Sequence, residues 1–221
     1  MKTAGRLIAI GDIHGCSLAL QALLDAIQPR LDDTIVTLGD YVDVGIDSKG
    51  VLDQLIELEG RCHLMPLRGN HEELMLRARL SQADFEVWNH IGGIATLDSY
   101  GDTGQLDQVP APHFEFLERC RDDFETDSHF FIHANYYPNR RLAEQDSRTR
   151  FWLSLDDQLP GRHFSGKTAI VGHTPQPEGQ ILNLGYLMCL DTGCGYGGLL
   201  TAMEVRSGKI WQADERGQLA E

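Results

Sequence analysis

Between residues 7 and 78 one pattern recurs three times: a short apolar run, a polar loop, then apolar residues at helical spacing. Leu7-Ile8-Ala9-Ile10 leads into Gly11-Asp12-Ile13-His14-Gly15, followed by Leu18, Leu20, Leu23, Leu24 and Ile27. Residues 34–38 lead into Gly39-Asp40-Tyr41-Val42-Asp43, followed by Val51, Leu52, Leu55, Ile56 and Leu58. Residues 63–67 lead into Arg68-Gly69-Asn70-His71-Glu72, and Leu74, Met75 and Leu76 open a third helix. Strands alternating with helices predict βαβ units in a largely parallel sheet.

Residues 81–127 are polar and broken by glycine and proline, with helical fragments near 114–120, and read as a small helical cap or insertion. Two more apolar runs follow, at 130–132 and 169–171. The C-terminal stretches 180–190, 199–205 and 209–213 have strand character, with a hairpin expected at Ser207-Gly208 and a β meander overall. An α/β start and a β end fit two sheets packed face to face with helices outside, in a single domain over residues 1–221.

Composition narrows the function classes. Nineteen Lys and Arg against 33 Asp and Glu give a formal charge of −14. Such a surface repels nucleic-acid backbones. The five cysteines form no C-x-x-C pair, which argues against a disulfide framework and for a reducing cytoplasm. The apolar stretch at 7–10 is too short for a signal peptide, and no run has the length of a membrane-spanning helix. No nucleic-acid or membrane partner is expected, and the oligomeric state stays open.

The chemistry lies just after the apolar runs: Asp12 and His14, Asp40 and Asp43, Asn70 and His71, His133, and His173 in Gly172-His173-Thr174. Ligands of α/β sheets gather at the carboxyl ends of strands, so these residues should converge. Carboxylate, imidazole and amide oxygen form a mixed N/O set that suits Mn, Fe or Zn rather than a soft sulfur site. Taken singly, a Gly-Asp or Gly-Asn-His is an ordinary turn. Recurrence at five strand ends is what carries the reading.

The blocks Gly11-Asp12-Ile13-His14-Gly15, Gly39-Asp40-Tyr41-Val42-Asp43 and Gly69-Asn70-His71-Glu72, with His133-Ala134 and Gly172-His173-Thr174, resemble in order those of the phosphoprotein phosphatases. The bacterial and phage-type protein phosphatases and the diadenosine tetraphosphatases are the branches they resemble. The resemblance implies a calcineurin-like metallophosphatase fold, with two mixed β-sheets in a sandwich flanked by helices. It implies two divalent ions, manganese first with iron or zinc as alternatives. Asp12, His14 and Asp40 would hold one ion. Asp40 would bridge to the second, completed by Asn70, His133 and His173. His71 would be the general acid, oriented by Asp43, while a hydroxide between the ions attacks phosphorus.

The second block departs from the family's Asp-Arg-Gly: here it is Asp43-Val44-Gly45, and valine cannot replace a bidentate guanidinium. Arg68, Arg150 and Tyr136 are the candidates for gripping substrate in its place. Trp88, Asn89 and Gly92-Gly93 resemble a loop near the site in phage-type members, for which packing is the simpler account. Asp191-Thr192-Gly193 resembles a late family block with no assigned ligand. The expected activity is hydrolysis of phosphate monoesters, on phosphoserine or phosphothreonine in proteins or on small phosphoesters. Alternatives are a symmetrical dinucleoside polyphosphate hydrolase and, in another class, a non-catalytic phosphate-binding module.

Overall fold

The computed structural model describes residues 5–101 and 104–220; residues 1–4 of the stretch read for a signal sequence, and 102–103 of the middle segment, lie outside it. Strands β1 (Leu7–Ile10), β2 (Thr34–Thr37) and β3 (His63–Pro66) run parallel, with Leu7 opposite Thr34 and Thr34 opposite His63. Helices α1 (Ser17–Ile27), α2 (Ser48–Leu58) and α3 (Asn70–Ala78) follow them, as the periodicity predicts. In α1 the buried apolar positions are Ala19, Leu20, Leu23, Leu24 and Ile27, one helical face. Asp47 caps α2 by accepting from the Gly50 N–H.

Each strand divides its side chains between two cores. Ile8, Ile10 and Ile35 pack under the helices, while Leu7, Ala9 and Val36 point into the space between the sheets. This explains apolar runs without alternation: both faces are covered. The second sheet contains β4 (Asp123–Glu125), β5 (His129–Ile132), β6 (Thr168–Val171), β7 (Leu182–Asn183) and β8 (Leu187–Cys189), in the order β4-β5-β6-β8-β7. It contributes Phe131 and Ile170 to the inter-sheet core, and turns Phe130, Ile132, Ala169 and Val171 outward.

The C-terminal strands differ from a meander. β7 and β8 belong to the second sheet, whereas β9 (Leu199–Glu204) and β10 (Lys209–Asp214) return to the first, giving β10-β9-β1-β2-β3. The chain changes sheet through residues 190–198, because β9 finds an open edge beside β1. The β9–β10 hairpin does form, with Gly208 in the left-handed region at φ 73°. The middle segment extends the outer helical layer. Helix α4 (Gln82–Trp88) packs on α3, α5 (Ile94–Ser99) on α2, and α6 (Ala111–Glu118) on both. Among the described residues no helix is long and apolar enough to cross a membrane.

Phe131 is fully buried between the sheets. Phe131→Ala should therefore cost about 3–5 kcal/mol, seen as a lower urea midpoint at unchanged slope. A midpoint within error of the parent would show that the two sheets do not depend on this contact.

Candidate active site

The loops after β1, β2, β5 and β6, with the start of α3, meet at one end of the sandwich and are tied by their own backbone. Ile13 and His14 donate N–H bonds to the Asp40 carbonyl, and Gly172 donates to the His133 carbonyl. Close approach forces glycine at particular points: a Cβ on Gly69 would collide with the Asp40 carboxylate, and one on Gly172 with that of Asp12. The knot of loops is held by Glu72, third residue of α3 and fully buried. Its carboxylate accepts from the N–H groups of Gly69 (2.8 Å), Asp40 (2.8 Å) and Tyr41 (2.7 Å). One side chain thus joins the β2 loop to the start of α3.

Asp40 lies at the centre. Its Oδ1 accepts from the His71 N–H at 3.1 Å, and its Oδ2 lies 3.6 Å from His14 Nε2 and 3.5 Å from His133 Nε2. Ligand atoms of His14, Asp40 and His71 fall within 4.8 Å of one another, and so do those of Asp40, His133 and His173. The two groups share Asp40. Asn70 Oδ1 is 3.0 Å from both His133 Nε2 and His173 Nδ1. Asp12 turns Oδ2 to the His173 N–H at 2.9 Å, while its buried Oδ1 has no partner.

These residues fit a pair of divalent ions. His14 Nδ1 donates to the Val42 carbonyl and His133 Nδ1 to the Leu38 carbonyl, so in both rings Nε2 carries the lone pair. The lone pair of His133 then faces the lone pairs of Asn70 Oδ1, two acceptors with no proton between them. That arrangement asks for a cation, as does the orphaned Asp12 Oδ1. A separation near 3 Å also suits neighbouring donors around an ion bound at about 2.1 Å.

Four histidines divide into two roles by environment. Burial pulls His133 down to about 4, against the opposing charge of Asp40, and lowers His14 and His173 likewise. They are neutral near pH 7, as ligands must be. His71 moves the other way, up to about 9: burial lowers it, but the charge of Asp40 and the bond to Asp43 outweigh that. Its Nδ1 lies 2.8 Å from Asp43 Oδ2. Asp40 stays well below the usual carboxylate range, because the surrounding histidines overcome the penalty of burial. Burial and mutual repulsion push Asp12 well up, and burial raises Asp191 and Glu72 to about 7.

The structure brings Asp12, His14, Asp40, Asp43, Asn70, His71, His133 and His173 together. It does not bring in the three residues expected to grip substrate. Arg68 donates to the Glu118 and Cys120 carbonyls, and Arg150 to Asp122 and the Leu142 carbonyl. Tyr136 is buried behind the second sheet with its hydroxyl on the Gly161 carbonyl. Each places its terminal polar group on the scaffold, although Arg68 Nε and Arg150 Nε stay buried without a partner. Other residues had no recognised role in the sequence. Glu72 sat unassigned inside a motif, and Asp191 lies beside Asp12. The exposed Tyr196 sets its ring edge-on to His14 at 5.5 Å. Trp88 and Thr96 both reach Asp43.

Glu72→Gln leaves one amide oxygen to accept from N–H donors and points its NH₂ at those that remain. The expected cost is about 1–3 kcal/mol in stability, with weaker Mn²⁺ binding by calorimetry because Asp40 loses its anchor. Unchanged binding would separate Glu72 from the metal-ligand geometry.

A sequence profile described as calcineurin-like phosphoesterase matches residues 5–204. The serine/threonine-protein phosphatase 1 of Salmonella typhimurium is 29% identical over 207 residues, covering 89% of this chain and 90% of that protein. The asymmetrical bis(5'-nucleosyl)-tetraphosphatase PrpE of Oceanobacillus iheyensis is 26% identical over 222 residues, covering 87% and 86%. Among solved structures, the cold-active protein-tyrosine phosphatase of a psychrophilic Shewanella superposes with a TM-score of 0.68 at 15% identity, covering 99% of this chain and 80% of that one. Fold, converging ligands and profile agree: the chain belongs to the calcineurin-like phosphoesterase family and is a dinuclear metal-dependent phosphoesterase.

Proposed function

We propose that this enzyme hydrolyses phosphate monoesters, with phosphoserine or phosphothreonine in proteins as its substrates and manganese as its metal pair. The observation that carries the reading is one carboxylate, Asp40, shared by two ligand groups, with the His71–Asp43 pair beside it. Asp12, His14 and Asp40 would hold one ion, and Asp40, Asn70, His133 and His173 the other. Bound there, the ions would supply Lewis acidity and an activated water at neutral pH. The chain's own part is acid catalysis. Asp43 accepts from His71 Nδ1, which leaves Nε2 to hold the proton for the departing alkoxide.

The monoester is favoured over a dinucleoside polyphosphate by the supply of cations. A polyphosphate needs several negative charges countered. Here Arg68 and Arg150 are engaged elsewhere, position 44 is valine, and the formal charge is −14. The five thiols, all free and buried, fit a cytoplasmic setting.

The test is phosphate release from a phosphothreonine peptide by chelator-stripped protein, before and after Mn²⁺. Recovery of activity with the metal supports the reading, whereas inactivity with metal bound, together with cleavage of a dinucleoside tetraphosphate, overturns it. His71→Asn should lower kcat by about 10²–10⁴ while retaining the metal.

The pH dependence has a definite sign. His71 is protonated below its pKa, so kcat should hold through neutrality and fall as pH rises through that value. The alkaline limb should lie below 9, since bound dications offset the Asp40 charge that raises His71. In His71→Asn that limb should disappear; if it persists, it belongs to another group.

A further inference from the structure

We infer that Trp88 and Thr96 are positioning residues for the acid step, holding Asp43 so that it can aim His71. The inference rests on the proposed role of His71 and extends it to a segment that carries no metal ligand.

The hydrogen bonds around Asp43 form a closed set. Its Oδ2 lies 2.8 Å from His71 Nδ1 and 2.9 Å from Trp88 Nε1, and its Oδ1 accepts from the Thr96 hydroxyl at 2.6 Å. The Asp43 N–H donates to Thr96 Oγ1 at 2.8 Å and to Ser48 Oγ at 3.0 Å. A hydroxyl has one proton, and a carboxylate can only accept. The Thr96 hydroxyl therefore donates its hydrogen bond to Asp43 Oδ1, and Ser48 donates to Thr96 across their 2.9 Å contact. Thr96 grips Asp43 at both its carboxylate and its N–H. This is a residue in the left-handed region, φ 71°, where a non-glycine needs support. With Trp88 and Thr96 donating, Asp43 is a satisfied anion, and the one donor left for its remaining lone pair is His71 Nδ1.

Delivery of these two donors shapes the segment around them. Residues Asn89–Gly93 carry the chain from α4 to α5 through a kink at Gly92, whose backbone leaves the helical region. A Cβ on Gly92, at φ 149°, would lie 3.1 Å from the Asp43 Cβ, and one on Gly93 would run into the Trp88 indole at 2.5 Å. Trp88 itself is fully buried. Packing alone would be met by any large apolar ring, but packing does not require an indole N–H within reach of both carboxylate oxygens.

The test separates aim from scaffold by the leaving group. A nitrophenolate departs without a proton, whereas the alkoxide of threonine needs one. Thr96→Val, near-isosteric but without the hydroxyl, should lower kcat on a phosphothreonine peptide by about 10-fold or more and on p-nitrophenyl phosphate by less than about 3-fold. Thr96→Ser should recover most of that loss. Trp88→Phe should show the same asymmetry, with melting temperature as its control for packing. Equal losses on both substrates overturn the inference. An independent readout uses the zinc-loaded, diamagnetic protein. The downfield Nδ1–H proton of His71, identified by its absence in His71→Asn, should be retained in Thr96→Ser and shift or broaden away in Thr96→Val. An unmoved resonance in Thr96→Val overturns the inference. Absence of phosphoesterase activity in the parent would instead defeat the proposed function, leaving the resonance to decide the role of Thr96.

Discussion

Five carboxylates, Asp12, Asp40, Asp43, Glu72 and Asp191, are buried at one end of the sandwich, and among the described residues no lysine or arginine pairs with any of them. Each buried charge costs several kcal/mol unless it is compensated. Three are answered within the chain: Asp40 by the nearby His71, which also donates its backbone N–H, Asp43 by an imidazole, an indole and a hydroxyl, and Glu72 by backbone N–H groups. Asp12 keeps a buried oxygen with no partner. The remaining negative potential is what a divalent cation would relieve, and the site's geometry follows from that unmet demand.

Building such a cluster requires backbone that ordinary sequence avoids. His14, Asp40, Asp43, Val44 and His173 all have positive φ, and only one other non-glycine among the described residues, Gln28, does. Concentrating strained residues in this way costs on the order of 1–3 kcal/mol at each. It persists because both strand-end loops and the start of α3 are cross-tied, chiefly through Glu72 and through the Asp40 carbonyl. Val44 is the sharpest case, a β-branched residue at φ 70° with a methyl set toward Gly195. The position that the family's pattern gives to arginine has become part of the packing between loops.

The same environment sorts the histidines. Where a ring donates Nδ1 to a carbonyl and is buried, as in His14 and His133, it stays neutral and offers Nε2. Where it donates to a carboxylate, as His71 does to Asp43, it holds a second proton. Neutral and protonated rings are therefore separated by the nature of one acceptor, a carbonyl or a carboxylate, at similar depth in the protein.

The sequence determined the periodic elements and the ligand types. Apolar runs of four or five residues, ending in glycine-flanked Asp, His and Asn, identify strands and what lies at their carboxyl ends, because both signals are local. Those residues are the ones that meet around Asp40. Tertiary structure decided everything that depends on a distant partner. It sent β9 to the edge beside β1, since pairing is a property of two strands and not of one. It turned Arg68, Arg150 and Tyr136 onto scaffold carbonyls and Asp122, because a polar side chain takes whichever acceptor the fold offers. It gave Trp88 and Thr96 to Asp43 across 45 and 53 residues of chain, a contact for which periodicity and motif spacing carry no record.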